Sequence, residues 1–411
     1  MEGPYPGVSV NTLIDAERRV PTGETETPLV ITPKTSAGKE FLREFLSGNS
    51  TRIINDIAKH GALLIRGFAI ESNADFEEQV LSIRGMRGMR EILLSEAGRT
   101  IQDGARFVFH TNSIVKTGGS FSFGMFHHEN YFLPDVPRYI TFFCTQPPSV
   151  GGETGLVNTA KLYADLPEAI RRKLEDRACL VSLYPITEVT RRYAINSELV
   201  LKFCSETGLP VANVKGAPYI AIYKPSVIQH PITSEKALSV NFTQIEGLSS
   251  PVRRAFMGDY SGLEWLLHKI IWGAPALERI YERVTFRSII KKTKESGELY
   301  VGLEMSPFLE DSIALSSIFA PGDPELLGDI VRRRYASFAW KRGDILIIDN
   351  LKMAHNGMPG YGKRKLGALL CNTVRLPSSR KGAGLHCISA SDQAEETLGA
   401  QLLRFREMAH S

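Results

Sequence analysis

Short apolar runs flanked by turn residues are the feature of this sequence that most constrains its fold. They lie at residues 61–68, 138–144, 344–349 and 366–374. Runs of this length, rich in Leu, Ile, Val and aromatic residues, are typical of strands buried in a sheet. Strands of this kind, in a chain of 411 residues, are compatible with one elaborated β-barrel or sandwich.

Helical patterns surround these predicted strands, notably at residues 74–98 and 391–409. Residues 1–37 are rich in Pro, Thr and Gly, which predicts an extended leader. Residues 180–330 mix strand-like and helical pieces, and we interpret them as an insertion and lid within the same fold. A chain of 411 residues could hold two average domains, but one elaborated β-rich domain spanning 1–411 fits these patterns better.

Composition narrows the class of protein. The five cysteines are widely spaced and form no Cys-x-x-Cys pair, which argues against a disulfide framework and fits a reducing compartment. The first six residues lack the pattern of a signal peptide, and no apolar run is long enough for a transmembrane helix. A net charge of +4 is too weak to indicate nucleic-acid binding. We therefore predict a cytoplasmic protein without membrane or nucleic-acid partners.

The segment His127-His128-Glu129, together with the distant His355, carries the clearest chemical signal. Residues i and i+2 of a strand project to the same face, so His127 and Glu129 can share a ligand whereas His128 points away. Two histidines and one carboxylate on one face of a metal form the ligand set of mononuclear non-heme Fe(II) oxygenases. An isolated His-x-Glu is a weak signal, because such triplets also occur as surface or hydrogen-bonded core residues.

A second signal lies near the end of the chain, where Arg364 precedes the last apolar run. A closed barrel would place His355 beside the His127–Glu129 pair and direct Arg364 into the same cavity. A guanidinium there could hold a carboxylate through two parallel hydrogen bonds. Lys365 is the alternative if the register shifts by one residue, since strand alternation lets only one of the two point inward.

In these residues the chain resembles the TauD/TfdA superfamily of Fe(II)- and 2-oxoglutarate-dependent dioxygenases, in particular its clavaminate-synthase-like and SyrP-like members. The matching blocks follow one another over most of the chain. They are the run at 61–68, His127-His128-Glu129, Gly151-Gly152-Glu153-Thr154, the stretch from His230 to Glu235 with Asn241, and the stretch from Gly343 through Asp349-Asn350 to His355 and Arg364.

The resemblance implies an α+β protein with a double-stranded β-helix (jelly-roll) core flanked by helices. It implies that His127, Glu129 and His355 bind Fe(II) as the catalytic centre. It also implies that Arg364 binds the distal carboxylate of the cosubstrate 2-oxoglutarate with help from the hydroxyl of Thr154, and that O₂ is the second cosubstrate.

The activity implied is oxidation, by default hydroxylation, of an unactivated C–H bond in a small molecule, with release of succinate and CO₂. Asn241 would contact the substrate, whereas His230 would either do so or cap the turn before Pro231. No second arginine follows Arg364 where sulfonate-cleaving relatives hold their substrate. This favours an amino acid-derived or natural-product biosynthetic intermediate, free or tethered to a carrier protein.

Other functions stay open at this point. The same chemistry could desaturate or cyclise its substrate, or hydroxylate a peptide or protein. A Zn-dependent hydrolase could use the same three ligands, although zinc gives Arg364 and Thr154 no role. A jelly-roll binding protein without metal is a further alternative, and homo-oligomer formation is left open.

Overall fold

The structure is a computed structural model, and it describes most of the chain. The described residues are 5–20, 23–94, 101–102, 104–111, 123, 126–176, 178–214, 216–239, 248–281, 283–284, 300–301, 318–378 and 384–410.

The β-strands form several sheets. In chain order they are β1 (Val8–Thr12), β2 (Leu29–Pro33), β3 (Ala62–Ile65), β4 (Phe109–His110), β5 (Asp135–Gln146), β6 (Val150–Gly151), β7 (Thr154–Asn158), β8 (Cys179–Pro185), β9 (Val211–Val214), β10 (Ala217–Lys224), β11 (Val227–Gln229), β12 (Lys236–Leu238), β13 (Tyr300–Val301), β14 (Tyr335–Phe338), β15 (Ile345–Asp349), β16 (Met353–Gly357), β17 (Gly360–Tyr361), β18 (Lys365–Arg375), β19 (Leu385–Cys387) and β20 (Gln393–Ala394).

The α-helices flank these strands. They are α1 (Lys39–Gly48), α2 (Ser50–His60), α3 (Asn73–Ser82), α4 (Thr159–Asp165), α5 (Glu168–Glu175), α6 (Ile186–Tyr193), α7 (Ser197–Thr207), α8 (Ser249–Phe256), α9 (Leu266–Trp272), α10 (Asp323–Arg333) and α11 (Leu398–His410). None of the helices in the described part of the chain combines the length and apolarity needed to cross a bilayer.

The main sheet has the order β1-β2-β3-β15-β5-β18-β20, with β4 paired to β18. A smaller sheet, β14-β7-β16, faces it. Strands β14, β15, β16 and β18 alternate between the two sheets, and β5 and β7 do the same earlier in the chain, so residues far apart in sequence meet in one sandwich. Two accessory sheets, β13-β8-β10-β9 and β12-β11-β19, lie outside this sandwich.

Strand β15 shows why the main sheet forms where it does. All five of its residues are buried, and alternate side chains enter different cores. Ile345 and Ile347 pack in the core that includes α1, α2 and α3. Leu346 and Ile348 pack in the core shared with the smaller sheet, beside Leu156. A continuous apolar run is what a strand covered on both faces requires.

Gly61 links α2 to β3 through a backbone that requires glycine. Its φ is +78°, and a Cβ placed there would lie 2.3 Å from the Met353 sulfur. The residue ends α2 in the left-handed conformation, and its N–H donates to the carbonyl of Ile57. Strand β3 therefore begins directly after α2, which packs against it.

The predicted mixed class, with helices around a core of sheets, is confirmed. The segment predicted as an extended leader, residues 1–37, contributes β1 and β2 to the edge of the main sheet. The predicted helix at 74–98 is wrong from Ile83 to Leu94, because the chain there follows β18 instead: Met89 N–H donates to Leu370 O, and Gly88 bridges Cys371. Residues 95–98 lie outside the described residues. The single-domain boundaries and the insertion at 180–330 stay predictions.

Candidate metal centre and its cavity

Three side chains from opposite parts of the chain converge at one edge of the sandwich. They are His127, Glu129 and His355, and one ligand atom from each lies within 4.8 Å of those of the other two. Glu129 Oε2 is 3.9 Å from His127 Nε2 and 3.8 Å from His355 Nε2. The sequence pattern predicted this grouping, and the fold brings it together.

Backbone pairing holds the two histidines side by side. His127 N–H donates to His355 O at 3.0 Å, and His355 N–H donates to His127 O at 2.9 Å. His355 lies on β16, which pairs with β7 through Leu156. The neighbouring His128 is buried elsewhere, with its Nε2 at 3.3 Å from Thr159 Oγ1. As strand alternation predicted, it is His127 and not His128 that lies with Glu129 and His355.

The donor set fits a divalent transition metal. One ligand atom from each of the three residues lies within 4.8 Å of those of the other two, so small side-chain rotations would bring all three onto one ion with bonds of about 2.1 Å. Two imidazoles and one carboxylate supply three ligands and leave other positions open for exogenous ligands. Glu129 and His355 are buried, whereas the His127 side chain is 30% exposed. The side of the triad that is not covered by protein thus faces a solvent-accessible cavity.

That space is a cavity of about 200 Å³ between the two sheets. One wall comes from β5 and β18 of the main sheet, another from β7 and β16, and a third from β4. The lining residues are Phe109, His110, Thr111, His127, Glu129, Ile140, Phe142, Thr154, His355, Gly357, Arg364, Leu366 and Ala368.

Arg364 is a buried cation in the cavity wall. Only 6% of the residue is exposed, and its Nη1 donates to Gly152 O at 2.6 Å. Burial lowers the pKa of the guanidinium to about 10, so it remains charged at neutral pH. Lys365, the alternative if the register had shifted, is exposed. The cavity therefore presents the rigid guanidinium to a ligand, not the lysine.

Thr154 lines the same cavity and is almost fully buried. Its hydroxyl oxygen accepts a hydrogen bond from Trp340 Nε1 at 3.2 Å. A hydroxyl that accepts from an indole still has its own proton to donate. Arg364 and Thr154 together form a polar end of the cavity suited to a carboxylate.

Two residues predicted near the substrate have different outcomes. Asn241 lies outside the described residues. His230 is buried, and its Nδ1 accepts from the backbone N–H groups of Ile232 and Thr233 at 3.3 and 3.1 Å. Its Nε2 lies 2.9 Å from Asp349 Oδ2. This is the capping arrangement that was one of the two predictions for His230.

Sequence reasoning missed the wall made by β4. Phe109 and His110 pair with Ala368 and Gly367 of β18, which brings them and Thr111 to the cavity. The strand is only two residues long and carries no motif. Its position depends on pairing with a strand more than two hundred residues later, and no local pattern signals such a pairing.

Comparisons with known proteins are consistent with this geometry. A sequence model of the family described as "Taurine catabolism dioxygenase TauD, TfdA family" matches residues 31–261, which include His127, Glu129 and Thr154. The dapdiamide synthesis protein DdaC of Enterobacter agglomerans is 20% identical, over 77% of this chain and 84% of that protein.

Two further proteins are similar to this chain. A clavaminate synthase-like protein of Arabidopsis thaliana is 22% identical, over 76% of this chain and 81% of that protein. The solved structure of a taurine dioxygenase from Burkholderia xenovorans superposes with a TM-score of 0.49 at 13% identity, over 97% of this chain and 99% of that one.

Proposed function

Because the chain belongs to the TauD/TfdA family of dioxygenases, we propose that it oxidises an unactivated C–H bond of a small molecule. The default outcome is hydroxylation, with one 2-oxoglutarate consumed and succinate and CO₂ released. The observation that carries the proposal is the meeting of His127, Glu129 and His355 with the buried cation of Arg364 in one cavity.

The cofactors of this family are Fe(II) and 2-oxoglutarate, and the residues of this chain fit both. In the proposal, His127, Glu129 and His355 hold the iron. Bound there, Fe(II) with 2-oxoglutarate and O₂ supplies the oxidising power needed to break a strong C–H bond. The protein contributes the placement of the ligands and a partly enclosed cavity beside them.

Arg364 would hold the distal carboxylate of 2-oxoglutarate, and Thr154 would donate a hydrogen bond to the same group. A guanidinium in a low-dielectric site binds a carboxylate more strongly than one in water. The pairing also offsets the cost of burying the cation, which the lowered pKa of Arg364 reflects. A zinc hydrolase would give the buried guanidinium of Arg364 no ligand to bind.

The substrate would bind against β4, where Phe109 offers an apolar surface and His110 and Thr111 offer hydrogen bonds. Among the residues that line the described cavity, Arg364 is the only arginine or lysine. This supports a substrate without a strongly anionic group such as a sulfonate. Since DdaC is described as a dapdiamide synthesis protein, we propose an amino acid-derived biosynthetic intermediate, free or carrier-bound.

The proposal is tested by measuring succinate with iron-loaded protein, 2-oxoglutarate and a panel of amino acids, their amides and sulfonates. We expect an amino acid derivative to stimulate succinate release, matched by an equal amount of oxidised product. The His127→Ala variant should release none above background. The proposal fails if iron-loaded, folded protein consumes no 2-oxoglutarate, or if the zinc-loaded protein hydrolyses the same panel.

A further inference from the structure

The turn between β15 and β16 contains a buried asparagine whose side chain contacts the metal-ligand segment. Asn350 is 2% exposed and lies five residues before His355. Its backbone N–H donates to Arg138 O at 2.8 Å, which fixes the turn against β5. The side chain then extends toward the backbone of Glu129.

The contact between Asn350 and Glu129 has two points. Glu129 N–H donates to Asn350 Oδ1 at 2.6 Å, and Asn350 Nδ2 donates to Glu129 O at 3.1 Å. The same Nδ2 also donates to Pro137 O at 2.9 Å. The amide thus bonds both backbone groups of a single residue, as a neighbouring strand would in a ladder. A carboxamide is suited to this, since it carries a donor and an acceptor in one plane.

The position of this clamp coincides with the end of regular pairing. The bridge between His127 and His355 lies two residues earlier, and the chain turns at Asn130, whose φ is +56°. Glu129 is therefore the last residue before the chain leaves the sandwich. Without a fixed backbone at this point, its carboxylate could rotate away from the two histidines.

Asn350 is itself held by a buried network. The carboxylate of the preceding residue, Asp349, accepts from Leu351 N–H at 3.1 Å and lies 2.9 Å from His230 Nε2. His230 and Asp349 are both fully buried. His230 lies directly after β11, so the network joins the β15–β16 turn to an accessory sheet. The side chain of Asn350 consequently starts from a rigid base.

We propose that Asn350 is a positioning residue that sets the Glu129 carboxylate for metal binding. This rests on the proposed function, because it takes Glu129 as a metal ligand. Groups that orient a ligand typically change metal affinity or activity by about 10- to 100-fold when removed, since such sites tolerate displacements of only about 0.5 Å. Asn350 does not line the cavity, so its effect is transmitted through Glu129.

The experiment compares Asn350→Ala with a matched asparagine elsewhere. The side chain of Asn372 also clamps a backbone segment, but it bonds two residues there: it accepts from Arg87 N–H at 3.1 Å and donates to Gly85 O at 2.7 Å. Its φ is +59°, so Asn372→Gly removes the clamp without straining the backbone. Asn372→Gly loses two side-chain hydrogen bonds and Asn350→Ala loses three, but only Asn350 contacts a proposed metal ligand.

The measurements are the Kd for Co(II), used as an air-stable probe of the Fe(II) site, and the thermal unfolding midpoint. We expect Asn350→Ala to raise the Kd by about 10-fold or more, whereas Asn372→Gly lowers the unfolding midpoint but leaves the Kd within about twofold. Asn350→Asp keeps the size of the side chain and its acceptor oxygen but loses the donor contacts to Glu129 O and Pro137 O. We expect it to raise the Kd for Co(II) as well. It provides the measurement if the alanine variant does not fold.

The inference is overturned if folded Asn350 variants bind Co(II) as the wild type does, or if Asn372→Gly weakens binding equally. A failure of the proposed function looks different. In that case the wild-type protein either does not bind Co(II) or binds it with an affinity that Glu129→Gln leaves unchanged.

Discussion

The sandwich around the cavity and the helical region at residues 249–284 are built on different principles. In the sandwich, β5, β15 and β18 are covered on both faces, and the functional side chains project from or beside such strands. The helical region buries one side only. Its outer side exposes a series of large apolar residues, namely Leu263, Leu266, Leu267, Ile270, Leu277, Ile280 and Val284.

The inner side of the helical region is nevertheless closely packed. Trp265 is fully buried, stacks on Tyr260 with ring centroids 3.9 Å apart, and meets Phe123 edge-on at 4.7 Å. His268 stacks on Trp272. The contrast indicates a division of roles: the sandwich fixes the geometry of the site, and the helical region adds an aromatic layer that contributes stability without supplying a cavity residue.

The largest expected effect distinguishes two buried glutamates, one in each region. Glu129→Gln removes the only carboxylate of the metal triad, so we expect turnover to fall by roughly three orders of magnitude or more. Glu264→Gln in the helical region is the matched control, because Glu264 is equally buried but lies against Arg19. Succinate release at saturating 2-oxoglutarate measures both. Equal losses in the two variants would contradict the division of roles.

The second prediction compares leucines. Leu346 is fully buried between the two sheets, so Leu346→Ala should lower the free energy of unfolding by about 2–5 kcal/mol. Leu266 is 54% exposed on α9, and Leu266→Ala should change it by less than about 0.5 kcal/mol. Denaturant unfolding measures both. A large effect at Leu266 would mean that the outer side of the helical region is covered in solution.

The third prediction concerns the polar end of the cavity. Arg364→Met removes the cation proposed to bind 2-oxoglutarate, and we expect the Kd for 2-oxoglutarate to rise by roughly 30-fold or more, as when one partner of a buried charge pair is removed. The adjacent Lys365→Met removes an exposed charge and should change the Kd less than about twofold. Equilibrium dialysis with labelled 2-oxoglutarate tests this. Equal effects would show that long-range charge, not the clamp, binds the ligand.

The last prediction is a pH dependence of stability that comes from one histidine of the helical region. Burial, with the nearby Arg253, lowers the pKa of His268 to about 4 from an ordinary 6.5. Between these values the unfolded chain binds a proton that the folded protein does not, so the free energy of unfolding falls as the pH drops through this interval. The slope is at most about 1.4 kcal/mol per pH unit.

His268→Phe keeps the ring against Trp272 and removes the titrating group. As the pH falls from 6.5 to 4, we expect the wild type to lose stability relative to the variant, because only the wild type has this titrating group. Above pH 6.5 the difference between their free energies of unfolding should be constant. Denaturant unfolding at several pH values measures it. A difference that does not depend on pH would show that His268 titrates normally in the folded protein.

The sequence predicted the sandwich better than its surroundings. The apolar runs at 61–68, 138–144, 344–349 and 366–374 correspond to β3, β5, β15 and β18, because a strand buried on both faces needs an uninterrupted apolar run. Alternation selected His127 over His128, and the resemblance to the TauD/TfdA superfamily pointed to His355 and Arg364. The structure brings these residues and Glu129 to one cavity.

Dependence on long-range pairing limited how much of the remaining fold and site could be predicted from the sequence. The predicted helix at 74–98 ended early because Gly85, with a φ of +95°, and Gly88 permit the chain to turn and run along β18. The β4 wall and the clamp of Asn350 on Glu129 likewise join residues more than two hundred positions apart. Neither leaves a pattern in a single sequence window, so neither could be predicted without the structure.

The most direct test of the central claim is an anaerobic titration of the protein with Fe(II) and 2-oxoglutarate, followed by visible absorption. We predict the weak metal-to-ligand charge-transfer band of an Fe(II)–2-oxoglutarate complex in the wild type and its loss in His355→Ala. The account is contradicted if folded wild-type protein gives no band, or if His355→Ala gives the same band as the wild type.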